Sequence, residues 1–223
     1  MEFTSRLATL EDVPRLTAVM DAAISELQRG YLEDEQIEAS RAVMGIDTQL
    51  IEDGTYFVIE APDGDIAGCG GWSRRATKYG NDHSSGRDAR LLEPGLDAAR
   101  VRAMYTNPKY ARRGVGRLVL SLCEAAAAVE GFRRLELVGT LSGEPLYTAY
   151  GFTPIERIEV SVSDVSVPAV RMEKPVNLHF GVRTQIIRSL SVSCPLILPS
   201  DCAQCEYDRL LSLVVRMENR HDG

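Results

Sequence analysis

Apolar residues recur along this chain with two periods, and those periods mark most of its elements. Phe3 to Ala8 reads as a short opening strand. Val13, Leu16, Met20, Ile24 and Leu27 then fall at helical spacing and predict a helix to about Gln28. Thr9 supplies its N-cap, with Asp12 at N3 and Pro14 in the first turn, where a missing N–H breaks no helical bond. Gly30 ends it. A weaker helical pattern covers about Glu35 to Met44. Tyr56 to Ala61 and Ile66 to Trp72 are apolar runs joined by Pro62-Asp63-Gly64, a turn in which proline presets φ and glycine tolerates a positive one. The pair predicts a β-hairpin.

Residues 74–98 break the pattern with a long polar stretch rich in Arg, Asp, Gly and Ser, a length that inside a compact domain points to function or mobility. Ala99 to Thr106 reads as a strand. Val115, Leu118, Val119, Leu122, Ala126 and Val129 share one helical face, and Gly131 closes that helix. Leu135 to Val138 is a buried strand, about Gly143 to Tyr150 a short helix stopped at Gly151, and Phe152 to Val162 with Val167 to Lys174 a final hairpin. Pro168 predicts an edge position there, because proline cannot donate to a ladder. The order is β-α-α-β-β-β-α-β-α-β-β. It predicts an α/β domain with a mixed central sheet and helices on both faces.

Composition changes this picture little. The 223 residues are 44% hydrophobic and 26% charged, ordinary for a globular chain. The net charge of −7 gives generic nucleic-acid binding no electrostatic support and weakly favours cationic substrates such as amines. Residues 1–9 show no basic segment followed by an apolar one, and no apolar run approaches about 18 residues, so the reading is neither secretion nor a membrane span. Cys69 and Cys123 lie within apolar elements, as free thiols do. Together these predict a reducing, cytoplasmic setting.

The chemistry concentrates in Tyr110-Ala111-Arg112-Arg113-Gly114-Val115-Gly116-Arg117, which joins a strand to an amphipathic helix. Glycines admit close backbone approach, the first helical N–H groups lack internal partners, and the helix dipole adds positive potential: a site suited to a pyrophosphate. Arg112, Arg113 and Arg117 add charge and bidentate donors. Alone, the motif equally fits a glycine-containing turn with solvated arginines. It is not a Walker A loop, since Gly-Lys-Ser/Thr is missing, and the third glycine of a dinucleotide fingerprint would fall at Val119.

With its surroundings, the segment resembles the GNAT superfamily of N-acetyltransferases. Met104-Tyr105-Thr106-Asn107-Pro108 followed by Arg112 to Arg117 is similar to the end of that family's fourth strand and its acyl-CoA pyrophosphate loop. Leu146-Tyr147-Thr148-Ala149-Tyr150-Gly151-Phe152 is similar to its late tyrosine-to-Gly-Phe signature. The resemblance covers a domain at residues 1–176 and leaves 177–223 as a C-terminal extension. It implies acetyl-CoA as co-substrate, its pantetheine arm in a V between the fourth and fifth strands beside Met104, Tyr105 and Thr106. The pyrophosphate would lie on the N–H groups of Arg112, Arg113, Gly114, Val115, Gly116 and Arg117. It also leaves room for a homodimer. Three positions depart from the family pattern: Ala111 where Gln or Arg is frequent, Arg102 where a basic carboxylate is frequent, and Thr140 where an Asn often follows the fifth strand.

The resemblance implies direct attack of a small-molecule amine on the thioester in a ternary complex. Tyr147 takes the general-acid position and a backbone N–H near Tyr105 the oxyanion donor. Read without it, Tyr147 is a core tyrosine. The base is unassigned: Asp82, His83, Glu93 and Asp97 stand in the 74–98 stretch, with water as the alternative. Trp72 reads either as a wall of an acceptor pocket or as a packing aromatic at a strand end. Two other readings remain: an acyl-CoA-binding sensor of the same fold without turnover, and an enzyme acting on protein or charged tRNA, with Arg74, Arg75 and Arg87 steering the latter. In the extension, Cys202-x-x-Cys205 has ligand-like spacing without a second close pair, so no metal is expected, and Glu206 to Arg220 has a helical pattern.

Overall fold

The computed structural model describes residues 2–84 and 87–177. The extension read at 177–223, with its Cys202–Cys205 pair and helical pattern, lies outside the described residues apart from Asn177. The elements are β1 (Thr4–Leu7), α1 (Val13–Leu27), α2 (Asp34–Ser40), α3 (Thr48–Glu52), β2 (Tyr56–Glu60), β3 (Ile66–Ser73), β4 (Ala99–Thr106), α4 (Val115–Val129), β5 (Arg134–Thr140), α5 (Glu144–Tyr150), β6 (Thr153–Val162) and β7 (Val165–Pro175). The seven strands form one sheet in the order β1-β2-β3-β4-β5-β7-β6, antiparallel except for the β4–β5 pair. This is the mixed sheet that the element order predicts.

Alternation along the strands sends side chains to two cores. Phe57, Ile59, Ala67 and Val101 pack under α4 and α5, with Leu118, Leu122 and Phe152. Tyr56, Val58, Ile66 and Cys69 pack under α1, α2 and α3, with Leu16, Met20, Ile24 and Leu50. Helices therefore cover both faces. Thr9 and Asp12 form the predicted start of the first helix: the Thr9 N–H donates to Asp12 Oδ2 at 2.8 Å, and Arg6 pairs with the same carboxylate at 2.7 Å. One short 3-10 turn at Leu10–Asp12 precedes α1.

Two features of β3 and β4 set up the site. Gly68 and Gly70 alternate onto the α4 face, where an added Cβ would stand 2.5 Å from Val115 and 2.7 Å from Val119. The strand is glycine-rich because α4 lies directly on it. Opposite, the β3–β4 register slips between Cys69 and Gly71, leaving Ala103 and Met104 bulged, with Ala103 at φ +51°. The Tyr56 hydroxyl holds the bulge by donating to the Ala103 carbonyl at 2.7 Å. β4 then leaves β5. The two pair only at Ala99↔Leu135 and Arg100↔Glu136, whereas β5 stays paired with β7 as far as Thr140↔Ala169. The outer halves of β4 and β5 splay into a V.

Three expectations change. The second helix stops at Ser40, and α3, absent from the sequence reading, follows as a five-residue turn. Pro168 lies not on the edge strand but on β7, between β5 and β6. It is tolerated because the β5 ladder ends at Ala169, one residue short of it. Of the described residues, no helix is long and apolar enough to cross a membrane.

Candidate active site

Two chambers occupy the V. The larger, of about 450 Å³, runs from Met104, Tyr105 and Thr106 along the start of α4 at Arg112, Gly114, Val115, Gly116 and Arg117. Its opposite wall is the apolar side of α1 with Tyr31. The smaller, of about 120 Å³, lies deeper between Val101–Tyr105 and Leu137–Thr140, and is roofed by Val43–Gly45 and Lys78–Gly80. Five residues line both: Met44, Met104, Tyr105, Thr140 and Tyr147. A ligand in one chamber meets a ligand in the other there.

The outer end of the larger chamber is built from main chain. Gly114, at φ +86°, caps α4 in a left-handed conformation, and Arg112 before it is also left-handed at +62°. These turns bring the chain off the 3-10 turn Pro108–Tyr110 and into the helix within four residues. The first bond of α4 runs from the Leu118 N–H to the Gly114 carbonyl at 2.9 Å, so the N–H groups ahead of it have no intrahelical acceptor. Gly116 makes room for α5: a Cβ there would stand 2.6 Å from the Leu146 side chain. Arg112 and Arg117 line the chamber, with Arg117 also over the Tyr150 ring at 5.5 Å. Arg113 does not line it; its guanidinium lies over Tyr110 at 5.8 Å.

Tyr147 reaches the junction from α5. Its ring is wedged between two glycines: a Cβ on Gly139 would stand 2.5 Å from it, and one on Gly143 2.7 Å. Phe152 meets it edge-on at 6.2 Å. Burial pushes the Tyr147 phenol up to about 12, so it carries its proton at any physiological pH. Tyr150, three residues on, faces elsewhere. Its hydroxyl donates to Glu124 Oε2 at 2.8 Å, inside a buried cluster in which Glu124 also holds Lys174. The same short helix thus carries one tyrosine to the cleft and one to packing.

The roof of the smaller chamber is built from side chains of three distant segments. Asp47, fully buried, takes Arg102 from β4 and Arg87 from the 74–98 segment, both at 2.6 Å. Arg102 also donates to the Gly80 carbonyl at 2.9 Å. Asn81 Nδ2 reaches the carbonyls of Ala42 and Met44 at 3.2 and 3.3 Å, and Asp82 accepts from the Thr48 N–H at 2.9 Å. Tyr105 completes the junction, its hydroxyl accepting from the Gly45 N–H at 2.8 Å. Burial lowers the Arg102 guanidinium from its ordinary value, against the pull of Asp47, yet it stays charged. Arg102 is a strut for this roof.

None of Asp82, His83, Glu93 and Asp97 lines either chamber. Asp82 caps α3, His83 is exposed, and Asp97 accepts from the Glu93 N–H at 2.9 Å. Among the described residues, no carboxylate or imidazole lines either chamber. Trp72 lies in the core against Phe132, with Arg74 over its ring at 5.4 Å, and lines neither chamber. Arg74, Arg75 and Arg87 hold Glu130, Asp53 and Asp47 respectively. The sequence reading missed Asp47, Met44 and Lys78. Only Asp47 left a signal, as the residue before a short helix at Thr48.

Comparison with known proteins bears on this geometry. The family model described as "Acetyltransferase (GNAT) domain" matches residues 52–154, from the end of α3 into β6. Comparison by sequence with curated proteins finds no match. Among solved structures, the GCN5-related N-acetyltransferase of Rhodopseudomonas palustris is similar with a TM-score of 0.58 at 17% identity, covering 78% of this chain and 96% of its own. The PaiA N-acetyltransferase of Thermoplasma acidophilum, solved in complex with coenzyme A, is similar with a TM-score of 0.53 at 16% identity, covering 78% and 99%. Ard1 of Thermoplasma volcanium gives 0.52 at 16%, covering 80% and 100%. At these identities the structures share the fold.

Proposed function

This chain carries a GNAT acetyltransferase domain, and we propose that it moves an acetyl group from acetyl-CoA to the primary amine of a small molecule, by direct attack in a ternary complex. The observation that carries this is the meeting of two chambers at Tyr105 and Tyr147, one ending at the first turn of α4, whose N–H groups have no intrahelical acceptor.

The larger chamber fits coenzyme A. The N–H groups around Gly114–Arg117, with Arg112 and Arg117, suit a pyrophosphate. The edge of β4 exposed by the splay, at Met104 to Thr106, offers backbone groups to the amide-bearing arm. The thioester then lies at the junction. The amine lone pair attacks its carbonyl carbon, forming the N–C bond, while a main-chain N–H near Tyr105 takes hydrogen-bond load from the oxygen. The C–S bond breaks, and Tyr147 gives the departing sulfur its proton or a hydrogen bond. The amine's own proton leaves to water, as no carboxylate or imidazole among the described residues lines the chambers.

A lining without a base among the described residues is also what an acyl-CoA sensor without turnover would show. Calorimetric titration with acetyl-CoA, CoA and NAD, followed by thiol release in the presence of amines, separates the readings. Micromolar binding of acetyl-CoA and CoA but not NAD, with amine-dependent thiol release, supports the enzyme. Binding without release under any amine supports the sensor. No binding to folded protein overturns both.

A further inference from the structure

The protein carries a net charge of −7, yet among the described residues no Asp or Glu lines either chamber of the cleft. The charged residues lining the smaller, acceptor-side chamber are Arg102 and Lys78. They are not equivalent. Arg102 is buried and committed to Asp47 and the Gly80 carbonyl. Lys78 is exposed at the chamber wall and has no ion-pair partner among the described residues.

Lys78 is placed there by its neighbours. Gly80, two residues on, is tied to β4 through the Arg102 guanidinium and sits at φ +109°, where a Cβ would collide with Ser84 at 2.7 Å. Asn81 anchors the same segment to the Ala42 and Met44 carbonyls. The segment bearing Lys78 is thus pinned on two sides.

Such a lining repels a second positive charge and leaves one cation for an anion to meet. A diamine or other polycation entering the smaller chamber would find the Lys78 ammonium and no carboxylate among the described residues. An amine bearing its own carboxylate brings the missing counter-charge to Lys78 while its nitrogen lies at the junction. We infer that the acceptor is a small primary amine that also carries a carboxylate or comparable anion, and that Lys78 is the residue that selects it. This rests on the acyl-transfer reading and names the substrate class of that site.

The test is a panel of matched amines assayed with saturating acetyl-CoA and compared at equal concentration of neutral amine: glycine with methylamine, β-alanine with ethylamine, 4-aminobutyrate with propylamine, and 1,4-diaminobutane. For at least one spacing, the carboxylate-bearing member should exceed its partner in kcat/KM by about tenfold. Lys78→Ala should erase that ratio, and Lys78→Glu should invert it toward the diamine. Equal rates within every pair, a wild-type preference for the diamine, or a ratio unmoved by Lys78→Glu would overturn the inference while leaving acyl transfer standing. If no amine is turned over, the pairs are compared by saturation-transfer NMR on the CoA-saturated protein. Preferential, Lys78-dependent binding of the carboxylate member then supports Lys78 as the selector of an anionic amine ligand, while the acyl-transfer reading falls. Absence of that preference refutes the inference too.

Discussion

The two sides of the cleft are made in different ways. The side that faces α4 is a main-chain surface: a left-handed glycine cap, N–H groups with no intrahelical acceptor and the exposed edge of β4. The side that roofs the smaller chamber is a side-chain truss: Asp47, Arg87, Arg102 and Asn81 join segments up to 55 positions apart in the chain. A main-chain surface depends on few side chains beyond the glycines that permit it. A buried truss depends on its side chains, above all on Asp47, whose removal takes from two arginines their shared carboxylate.

The largest effect should therefore come from the truss. Asp47→Asn leaves Arg87 and Arg102 without their shared carboxylate and should cost about 3–5 kcal/mol of stability. Chemical denaturation measures this; a cost within error would mean water or another group already carries the two arginines. Next comes the junction. Tyr147→Phe should lower kcat by about a hundredfold or more with acetyl-CoA affinity nearly unchanged. Because burial holds the phenol at about 12, the wild-type rate should climb with pH as the amine deprotonates and show no alkaline fall up to pH 10 from this group. A fall below pH 10 that is absent in Tyr147→Phe would show the phenol ionising in the working range.

On the main-chain side, Gly114→Asp puts a carboxylate and a strained left-handed residue where the N–H groups converge. Acetyl-CoA binding should weaken about ten- to a hundredfold in a protein that still folds, by calorimetry on a variant with a native circular-dichroism spectrum. Normal affinity would move the phosphate site elsewhere. The smallest effect is a control remote from the cleft. The Arg6 pair, with the Thr9 N–H, holds Asp12 at about 2, below its ordinary 3.8. Asp12 then stabilises the fold fully above the ordinary value, and that share is lost as pH falls through 3.8 toward 2. Asp12→Asn should remove about 1 kcal/mol at neutral pH and flatten the acid limb of stability, without altering acetyl-CoA binding.

The same contrast explains what was legible in the chain. The Gly114–Gly116 spacing, the strand before it and the amphipathic helix after it are local, and the structure places them where their order implies. Tyr147 is named by its distance from Gly151, but its setting between Gly139 and Gly143 needs β5 and α5 to be folded together. Trp72 reads ambiguously at a strand end, and packing sends it into the core against Phe132. The polar 74–98 stretch suggests a loop with functional side chains. Its acids turn outward or cap α3, while Arg87, Asn81 and Gly80 pin it down.

By itself, then, the sequence determined the order of the strands and the longer helices, the two-faced sheet and the glycine-bearing turn into α4. These follow from hydrophobic period, turn residues and glycine placement, all of which act over a few neighbouring positions. Only the tertiary structure decided the V between β4 and β5, the deep chamber and its charge. The bulge at Ala103 that precedes the splay is held by Tyr56 from another strand. The carboxylate that turns Arg102 into a strut arrives from Asp47, 55 positions earlier. Such partners are chosen by folding, because a buried charge takes whichever opposite charge the packed chain brings within reach.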